Sequence, residues 1–376
     1  MIKVAYIVGG LPFGGIERSL YNLCLEYGKN GLARPRVFNL SGTGQLAPEY
    51  VQAGIDLVNV AQGNIRAIVS YRLDTALKLR KMLREFKPDV IHTMHFSANH
   101  HGRLAALGLG IPVITHIRNI KREKKLERRL SDKLLSYATT QYLAVSMAVA
   151  DVVREDHNLA DRPVQVLYNA VTPEQMDFPP LDFKAEYGIE GPVALAVGRY
   201  VPQKNLDLLI RAVSVLRQEG RDISLIMVGE GPERSRLEAL IQELGLSGRA
   251  VLAGFRSDVP AFYQSARIFA MPSDFEGLPN AHLEAMYFGL PAVVSAHVPS
   301  LEIAAEASLV CGLKVDDLAW KLAALLEDSS LYERLASKAK EVAAMHTMSG
   351  YAVALHGIYC ALLGEKQTTL SRAAWL

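Results

Sequence analysis

Two carboxylates flank the predicted start of a helix in the second half of the chain. Glu276 lies in a loop after the apolar run 268–272, and Glu284 lies eight residues later in the helix predicted over 281–288. With Pro279 as the first helical residue, the unpaired N–H groups of the first turn would point back toward Glu276 and could bind an anion. Carboxylates on either side could accept hydrogen bonds from hydroxyl groups. Such a site suits a sugar nucleotide, although carboxylates near a helix start also occur without any ligand.

Two cations lie in one loop between a predicted strand at 193–197 and the helix that follows. Arg199 offers a planar fork of hydrogen-bond donors, and Lys204 offers a compact point charge. Together they suit a diphosphate group. Two ordinary surface cations remain the alternative that the spacing alone leaves open.

A glycine-rich turn, Gly9 to Glu17, follows the predicted strand 3–8 and opens a helix predicted over 17–27. Glycines let a backbone approach a phosphate closely, and ligands of such sheets bind at the strand C-terminal ends. The turn lacks the G-x-G-x-x-G spacing, so by itself it indicates a binding loop only weakly.

Histidines cluster around the strand predicted at 90–94. They are His92, His95, His100 and His101, and a zinc site therefore has to be considered. No cysteine or carboxylate completes a ligand spacing, so we expect a polar loop that faces a cleft. A further histidine, His116, ends the strand predicted at 112–116.

The stretch 118–133 holds eight Lys and Arg residues against three Asp and Glu residues. It predicts either a solvated helix face or a surface that contacts anionic lipid headgroups or a lipid diphosphate. The helix predicted over 126–137 carries apolar residues that could be core or membrane-facing: Leu126, Leu130, Leu134 and Leu135. Nucleic acid is a third partner of suitable charge, but no binding motif supports it.

These residues need a scaffold of strands that alternate with helices. The apolar runs predict strands at 3–8, 36–40, 56–60, 90–94, 112–116, 141–145 and 164–167, and the alternation resumes from residue 193. Helices are predicted between several of them, at 75–86 for example, and later at 316–326, 332–344 and 351–362. This order predicts an α/β protein with largely parallel sheets. The proline-containing stretch 172–191 predicts a connection between two domains.

The composition agrees with a folded two-domain protein. The chain has 376 residues, of which half are hydrophobic and 21% are charged. Its three scattered cysteines argue against a disulfide framework and favour a reducing cytosol. No apolar run has membrane-spanning length. The net charge of +2 divides into about +7 for residues 1–180 and about −5 for the remainder, which suggests an anionic partner on one side only.

Several of these motifs occur together in one family. The Glu276-x7-Glu284 stretch, the Gly198-Arg-x4-Lys204-Asn pattern and the Gly14-Gly15-x-Glu17 turn resemble the signatures of the retaining GT-B glycosyltransferases of family 4. The resemblance covers nearly the whole chain, but its specific motifs lie mainly between residues 198 and 284. Ala170 replaces the glycine of the family's Asn-Gly-Val, so we expect the local turn to differ.

The resemblance implies the α/β GT-B fold, with two Rossmann-like domains whose parallel sheets face a central cleft. Residues 1–175 would form an acceptor-binding domain, and residues 190–347 would form a nucleotide-sugar-binding domain. Residues 348–376 would form a C-terminal helix and tail that return to the first domain.

The resemblance also assigns roles to individual residues. Glu276 and His116 would face the transferred sugar as catalytic residues. The donor-binding residues would be Gly15, Arg199, Lys204, Phe255, Arg256, Gly277, Leu278, Pro279, Asn280 and Glu284, with the nucleotide base held through the backbone near Phe255 and Arg256. Residues for acceptor or membrane contact would be Arg118, Lys121, Arg122, Lys124 and Lys125.

The implied reaction moves a hexose or an N-acetylhexosamine from a nucleotide sugar, expected to be a UDP-sugar, to a saccharide or lipid-linked saccharide acceptor of a cell-surface polysaccharide. The chain has no Asp-x-Asp pair, so we expect no metal or other cofactor. We expect a cytoplasmic protein that contacts the inner face of an anionic membrane and binds no nucleic acid. A sugar-nucleotide epimerase or phosphorylase on the same scaffold, or a non-catalytic binding protein, remain as alternatives.

Overall fold

The computed structural model describes residues 1–63, 73–120 and 126–364, and these form two compact units. The first unit comprises Met1–Asn169 together with the described residues from Met348 onward, and the second comprises Ala170–Thr347. Each unit is built on one parallel sheet. The predicted α/β class with two Rossmann-like domains is therefore confirmed.

The first unit contains a seven-stranded sheet in the order β3-β2-β1-β4-β5-β6-β7. Its strands are β1 (Ile2–Val8), β2 (Ala33–Asn39), β3 (Leu57–Asn59), β4 (Val90–Met94), β5 (Val113–Ile117), β6 (Gln141–Ala144) and β7 (Val164–Val166). Its α-helices are α1 (Gly15–Asn30), α2 (Ala47–Gln52), α3 (Leu73–Phe86), α4 (Phe96–Ala106), α5 (Leu126–Leu135), α6 (Met147–Val152) and, at the end of the chain, α15 (Met348–Leu363). Strands such as β1 and β4 are buried along most of their length, as parallel strands covered on both faces should be.

The second unit contains a six-stranded sheet in the order β10-β9-β8-β11-β12-β13. Its strands are β8 (Val193–Val197), β9 (Ser224–Val228), β10 (Ala250–Gly254), β11 (Ile268–Met271), β12 (Ala292–Ser295) and β13 (Ser308–Cys311). Its α-helices are α7 (Phe183–Tyr187), α8 (Leu206–Gln218), α9 (Arg234–Glu243), α10 (Val259–Ser265), α11 (Asn280–Tyr287), α12 (Leu301–Ala304), α13 (Val315–Glu327) and α14 (Ser329–Met345). A short 3-10 helix, Pro202–Lys204, precedes α8.

Alternate residues of β8 show how the second sheet is covered. Ala194 and Ala196 pack into a core with the apolar residues of α8 and α13, whereas Val193 and Leu195 pack into a separate core with residues of α10 and α11. Successive strand side chains point to opposite faces, so the two cores lie on opposite sides of the sheet. The uninterrupted apolar sequence of β8 follows from this double burial.

Both sheets reverse their strand order at one place. The reversal lies between β1 and β4 in the first unit and between β8 and β11 in the second. At such a point the loops that follow the two strands diverge and leave a crevice, where ligands of open α/β sheets bind. The glycine turn after β1, the Arg199 loop after β8 and the Glu276 loop after β11 therefore all lie at reversal points.

The C-terminal helix α15 belongs to the first unit, as predicted. Most of its residues from Tyr351 to Cys360 are buried, so it is an internal helix without a polar face. The Tyr359 hydroxyl lies 2.7 Å from the Tyr6 hydroxyl of β1. The end of the chain is thereby fixed to the central strand of the first sheet.

Some sequence predictions of local structure were wrong. Helix α4 was missed, because its histidine and glycine content suggested a loop, and strand β13 was missed because its four residues form no distinct apolar run. The stretch 172–191, predicted to connect two domains, lies within the second unit, whose core includes Phe183 and Ile189.

Within the described residues, no helix combines the length and the apolarity that crossing a bilayer would require.

Candidate functional site

The loops after β8 and β11 are joined by an ion pair. Lys204 Nζ lies 2.7 Å from Glu276 Oε1, and both side chains are largely buried. The Asp274 amide donates to the Gln203 carbonyl at 2.8 Å, and Asn205 Nδ2 donates to the Pro272 carbonyl at 3.0 Å. The structure thus brings together Lys204 and Glu276, which are 72 residues apart in sequence.

Gly198 makes room for the Lys204 side chain. Its φ of +151° is one that residues with a side chain rarely adopt, and a Cβ there would lie 3.0 Å from Lys204 Cε and 3.2 Å from Nζ. Lys204 therefore runs across the backbone at the end of β8. The glycine of the Gly-Arg-x4-Lys-Asn pattern is needed for this path, which sequence spacing alone did not reveal.

Arg199 differs from the other predicted donor-binding arginine. It is exposed and forms no ion pair with any residue that the structure describes. Arg256, in contrast, donates to both carboxylate oxygens of Asp258 at 2.8 and 2.7 Å and also pairs with Glu186. The Arg256 guanidinium is thus engaged by two carboxylates, whereas that of Arg199 is exposed. Phe255, the neighbour of Arg256, is 52% exposed.

Helix α11 begins at Asn280, one residue after the predicted first helical residue Pro279. Pro279 is its N-cap, with extended φ and ψ of −73° and 122°, and Asn280 is the first helical residue. Gly277, Leu278 and Pro279 are buried, and they connect the Glu276 loop to the helix start. The first turn of the helix therefore lies directly after this loop.

Glu284 lies in the second turn of α11 and is partly buried. Its Oε2 accepts a hydrogen bond from the Tyr263 hydroxyl at 3.0 Å. Burial raises the pKa of the Glu284 carboxyl, and the Tyr263 hydrogen bond opposes that rise. Among the described residues the other carboxylate oxygen accepts no hydrogen bond, so it can accept hydrogen bonds from a diol.

The first unit has a cavity of about 750 Å³ at its own reversal point. It is lined by residues of the loops after β1, β2 and β4, among them Gly9, Gly10, Glu17, Thr43, Gln45 and His95. Gly15 begins α1 beside it. The glycine turn therefore borders a real cavity, as its position after the first strand indicated.

Sequence reasoning named Glu17 and His95 separately but did not foresee that they meet in this cavity. His95 Nε2 lies 2.9 Å from Glu17 Oε1. Glu17 is buried at the start of α1, and His95 has φ and ψ of 76° and 157° just before α4. Glu17 belongs to the Gly-Gly-x-Glu turn, but nothing in the sequence indicated its contact with His95.

A chain of buried hydrogen bonds leads to His116 near the end of β5. The Tyr6 and Tyr359 hydroxyls are 2.7 Å apart, and the Tyr359 hydroxyl lies 2.8 Å from Nδ1 of His92. Nε2 of His92 lies 3.2 Å from Nδ1 of His116. Nε2 of His116 is buried and has no hydrogen-bond partner among the described residues.

The protons in this chain all run in one direction. Burial lowers the pKa of His92 to about 3 and that of His116 well below its usual range, so both rings are neutral. A neutral ring carries one proton, so His92 donates through one ring nitrogen and accepts through the other. The tautomer of His116 is therefore coupled to the orientation of the Tyr6 and Tyr359 hydroxyls.

Arg118 does not belong to an exposed basic surface, which corrects the sequence prediction. It is partly buried and donates to Asn169 Oδ1. Burial lowers the pKa of Arg118, and the nearby Tyr351 and Glu17 oppose that change. It thus lies in the interior of the first unit, near the cavity. The predicted contact residues Lys121, Arg122, Lys124 and Lys125 lie outside the described residues.

Three of the four clustered histidines do not lie in a polar loop, contrary to expectation, whereas His95 does lie in the loop after β4 and lines the cavity. His92 is a buried residue of β4, and His100 and His101 are buried residues of α4. Nδ1 of His101 bonds to the Ser97 carbonyl within the same helix at 2.9 Å. In the described part of the chain, no three His, Cys, Asp or Glu side chains are arranged to hold a metal ion.

The apolar side of α5 is exposed. Leu126, Leu130 and Leu134 are 66%, 54% and 64% exposed, so the alternative that they form core is wrong. On the opposite side of the helix, Asp132 pairs with the fully buried Arg103 and with His157. These ion pairs fix α5 to the first unit with its leucines facing outward.

The two sheets, with ligand-type motifs at both reversal points, define the GT-B fold. The structure matches that of Anabaena Alr3699/HepE in complex with UDP and glucose with a TM-score of 0.82 at 20% identity, covering 97% of this chain and all of the other. Residues 13–175 match the family model Glycosyltransferase Family 4, and residues 181–342 match Glycosyl transferases group 1. The two models together cover most of the chain, which belongs to these GT-B glycosyltransferases.

Two characterised relatives illustrate the range of this family. The 2-deoxystreptamine glucosyltransferase of Streptomyces kanamyceticus is 33% identical over 150 residues, which are 38% of this chain and 39% of the relative. The chain thus spans less than half the length of that relative. The lipopolysaccharide core biosynthesis glycosyltransferase LpsD of Rhizobium meliloti is 28% identical over 351 residues, covering 90% of this chain and 92% of the relative.

Proposed function

We propose that the protein is a retaining glycosyltransferase that uses a UDP-linked hexose or N-acetylhexosamine. The observation that carries this proposal is the Lys204–Glu276 ion pair beside the unpaired Arg199. Two cations suited to a diphosphate and a carboxylate suited to sugar hydroxyls lie in two adjacent loops at one reversal point. The Anabaena protein of similar fold binds UDP and glucose, which supports the choice of donor.

Each part of the donor would bind to a different group of residues in the second unit. Arg199 and Lys204 would bind the diphosphate, and Glu284 would accept hydrogen bonds from the ribose hydroxyls. The backbone near Phe255 and Arg256 would hold the base, and Glu276 with the helix start from Gly277 to Asn280 would meet the sugar. In the first unit we assign Gly15 and His116 to substrate binding, with Nε2 of His116 as the ring atom that contacts the ligand.

The chemistry would rest on charge stabilisation. As the bond between the sugar C1 and the diphosphate oxygen breaks, the electron pair stays on the diphosphate, where Arg199 and Lys204 stabilise it. The acceptor oxygen forms the new bond to C1 from the same face, and its proton passes to the departing phosphate. The anomeric configuration is then retained. The two cations and the N–H groups of α11 supply the positive charge at the diphosphate, so we propose that no metal is required.

The acceptor we propose is a saccharide, free or lipid-linked, of a cell-surface polysaccharide. The relative from Rhizobium meliloti that matches over nearly the whole chain acts in lipopolysaccharide core biosynthesis. The exposed leucines of α5 suit peripheral contact with a bilayer, where a lipid-linked acceptor would be found. The basic sequence of the stretch 118–133, apart from the partly buried Arg118, would favour an anionic bilayer.

Thermal stabilisation by nucleotides tests the donor site. UDP, UDP-glucose, UDP-N-acetylglucosamine, GDP and ADP are each added without metal, and a ligand at a hundred times its Kd should contribute about 2.7 kcal/mol. We expect a shift with UDP and a UDP-sugar that Arg199→Ala reduces to less than half. Loss of one charge-assisted hydrogen bond should weaken UDP binding by roughly 1.5–3 kcal/mol.

Arg211→Ala is the matched control, because Arg211 is another exposed arginine of the second unit, on α8. It should leave the shift unchanged. A shift with GDP or ADP alone would overturn the choice of donor. The absence of a shift with every nucleotide would rule out the donor site and leave only the fold.

A further inference from the structure

The backbone of His95 has an unusual conformation. Its φ of 76° and ψ of 157° lie in a region that only glycine adopts readily. A histidine is held there at a cost in free energy, and such strain concentrates at binding and catalytic sites. The residue follows β4 at the reversal point of the first sheet. Its strain therefore coincides with the place where the fold favours a ligand.

Two contacts hold His95 in this conformation. Its carbonyl accepts a hydrogen bond from the Asn99 amide at 2.7 Å, inside the first turn of α4. Its Nε2 lies 2.9 Å from Glu17 Oε1, on the neighbouring helix α1. Glu17 is itself fixed, because it is only 5% exposed and its carboxylate folds back over Gly14, where a Cβ would collide with it.

The contact with Glu17 determines what His95 offers to a ligand. An ionised carboxylate only accepts hydrogen bonds, so Nε2 must carry a proton, and whenever the ring is neutral its Nδ1 keeps a lone pair. Nδ1 makes no hydrogen bond to the described residues, and the side chain, which is 39% exposed, lines the 750 Å³ cavity. The ring is therefore an oriented hydrogen-bond acceptor that faces an open cavity.

We infer that His95 is a specificity-determining residue, which accepts a hydrogen bond from a hydroxyl of the saccharide acceptor, and that Glu17 is its positioning residue. The identity of the ligand as a saccharide rests on the proposed function. Thr43, Gln45 and Ser97 add hydroxyl and amide groups to the same cavity, and Gly9 and Gly10 leave its backbone open to approach. The hydroxyl bound by His95 is not the attacking one, whose proton leaves with the diphosphate.

A purely structural role for the Glu17–His95 pair does not explain the strained backbone of His95 or the exposure of its ring. Glu17 is the third residue of α1, where a carboxylate can bond to the N–H groups of its own helix start without any histidine. The contact instead joins two helices through a strained residue, and it fixes the tautomer of a ring that the cavity exposes. Such a pair would suit recognition of a hydroxyl better than stabilisation of the fold.

Nitrogen NMR of histidine-labelled protein tests the inference without any nucleotide. The probes are the methyl α-glycosides of glucose, galactose and N-acetylglucosamine. We expect His95 to carry its proton on Nε2, and we expect its Nδ1 resonance to shift with at least one glycoside. His346 of the second unit is the control and should not respond. A proton on Nδ1, or no response to any glycoside, would overturn the inference.

Variants and deoxy-glycosides identify the hydrogen bond. His95→Ala should weaken binding of the responsive glycoside roughly tenfold, the value of one hydrogen bond, and Glu17→Gln roughly threefold, with loss of the single tautomer. The deoxy-glycoside that lacks the recognised hydroxyl should bind wild type and His95→Ala equally. If every deoxy-glycoside still distinguishes the two proteins, His95 does not accept from a hydroxyl. Glycoside binding without a nucleotide shift would contradict the proposed function and leave this inference standing.

Discussion

The pairing of Lys204 with Glu276 has a consequence for how a ligand could bind. In the structure each side chain neutralises the other, and both are largely removed from solvent. A diphosphate at Lys204 would have to share the ammonium with Glu276, whereas the exposed Arg199 is free to bind it at once. Substitutions of Lys204 or Glu276 should therefore affect the binding of UDP and the turnover of the UDP-sugar differently.

We expect Glu276→Gln to bind UDP more tightly than wild type, by up to about tenfold, and to turn over UDP-sugar far more slowly. Lys204 would then be released to the diphosphate, while the carboxylate at the sugar would be lost. Lys204→Met should lose both properties. Calorimetric titration with UDP and an assay of UDP release measure the two effects. Wild-type turnover in both variants would eliminate the proposed roles, and weaker UDP binding in Glu276→Gln would contradict the competition.

Two helices of the first unit determine which side chains are oriented inside the unit and which are exposed on its surface. Helix α15, from the far end of the chain, supplies the Tyr359 hydroxyl that connects β1 to the His92–His116 pair. Helix α5 is fixed by the buried Arg103–Asp132 ion pair and exposes its leucines. One helix therefore orients an internal histidine, and the other forms a surface.

Tyr359→Phe should lower the free energy of unfolding of the first unit by about 1–3 kcal/mol, because it leaves the Tyr6 hydroxyl and Nδ1 of His92 without their partner in a buried site. It should also release the tautomer of His116. Urea unfolding and histidine nitrogen NMR record the two effects. Tyr137→Phe, at a tyrosine that is 61% exposed, should change neither. Unchanged stability and unchanged ring spectra in Tyr359→Phe would refute the coupling of His92 and His116 to the tyrosine hydroxyls.

Leu130→Asp combined with Leu134→Asp should reduce binding to vesicles that contain anionic phosphatidylglycerol, by at least about tenfold, because two apolar side chains are lost from the contact. Vesicle sedimentation at low and high salt measures it, and salt should weaken the wild-type binding. Leu77→Asp provides the control, since Leu77 is 57% exposed on α3. Equal sedimentation of the α5 variant and wild type would exclude this helix as the contact surface.

Buried histidines occur in both units and affect the stability of the whole chain. Burial lowers the pKa of His92 to about 3 and that of His282 to about 4, and lowers that of His116 well below its usual range. The unfolded chain binds protons at these side chains below about pH 6.5, whereas the folded chain does not. Stability is therefore full above that pH and is lost as the pH falls toward the folded values.

Between pH 7 and pH 5 we expect the free energy of unfolding to fall by about 1–2 kcal/mol per buried histidine, which would be recorded as a lower urea midpoint. Asp132 cannot cause it, because its pKa is lowered to about 2 and its contribution is lost only below about pH 4. Glu284, whose pKa burial raises, acts in the opposite direction. His282→Gln, which cannot take up the proton, should lose less stability over this interval. Equal midpoints at both pH values would contradict the prediction.

The sequence by itself determined the α/β class, most of the strands and the loops that carry Arg199, Lys204, Glu276 and Glu284. It could do so because buried parallel strands are apolar runs and because these motifs are local, spanning fewer than a dozen residues each. The strands Val90–Met94 and Val193–Val197 were predicted with their observed bounds for the same reason.

Only the tertiary structure decided which distant residues meet. The Glu17–His95 contact, the chain from Tyr6 through Tyr359 to His116 and the inward position of Arg118 all join residues far apart in sequence. No periodicity encodes such contacts, because they depend on strand order and on how each helix packs against its sheet. The same packing turned a predicted histidine loop into buried strand and helix positions and left the leucines of α5 exposed.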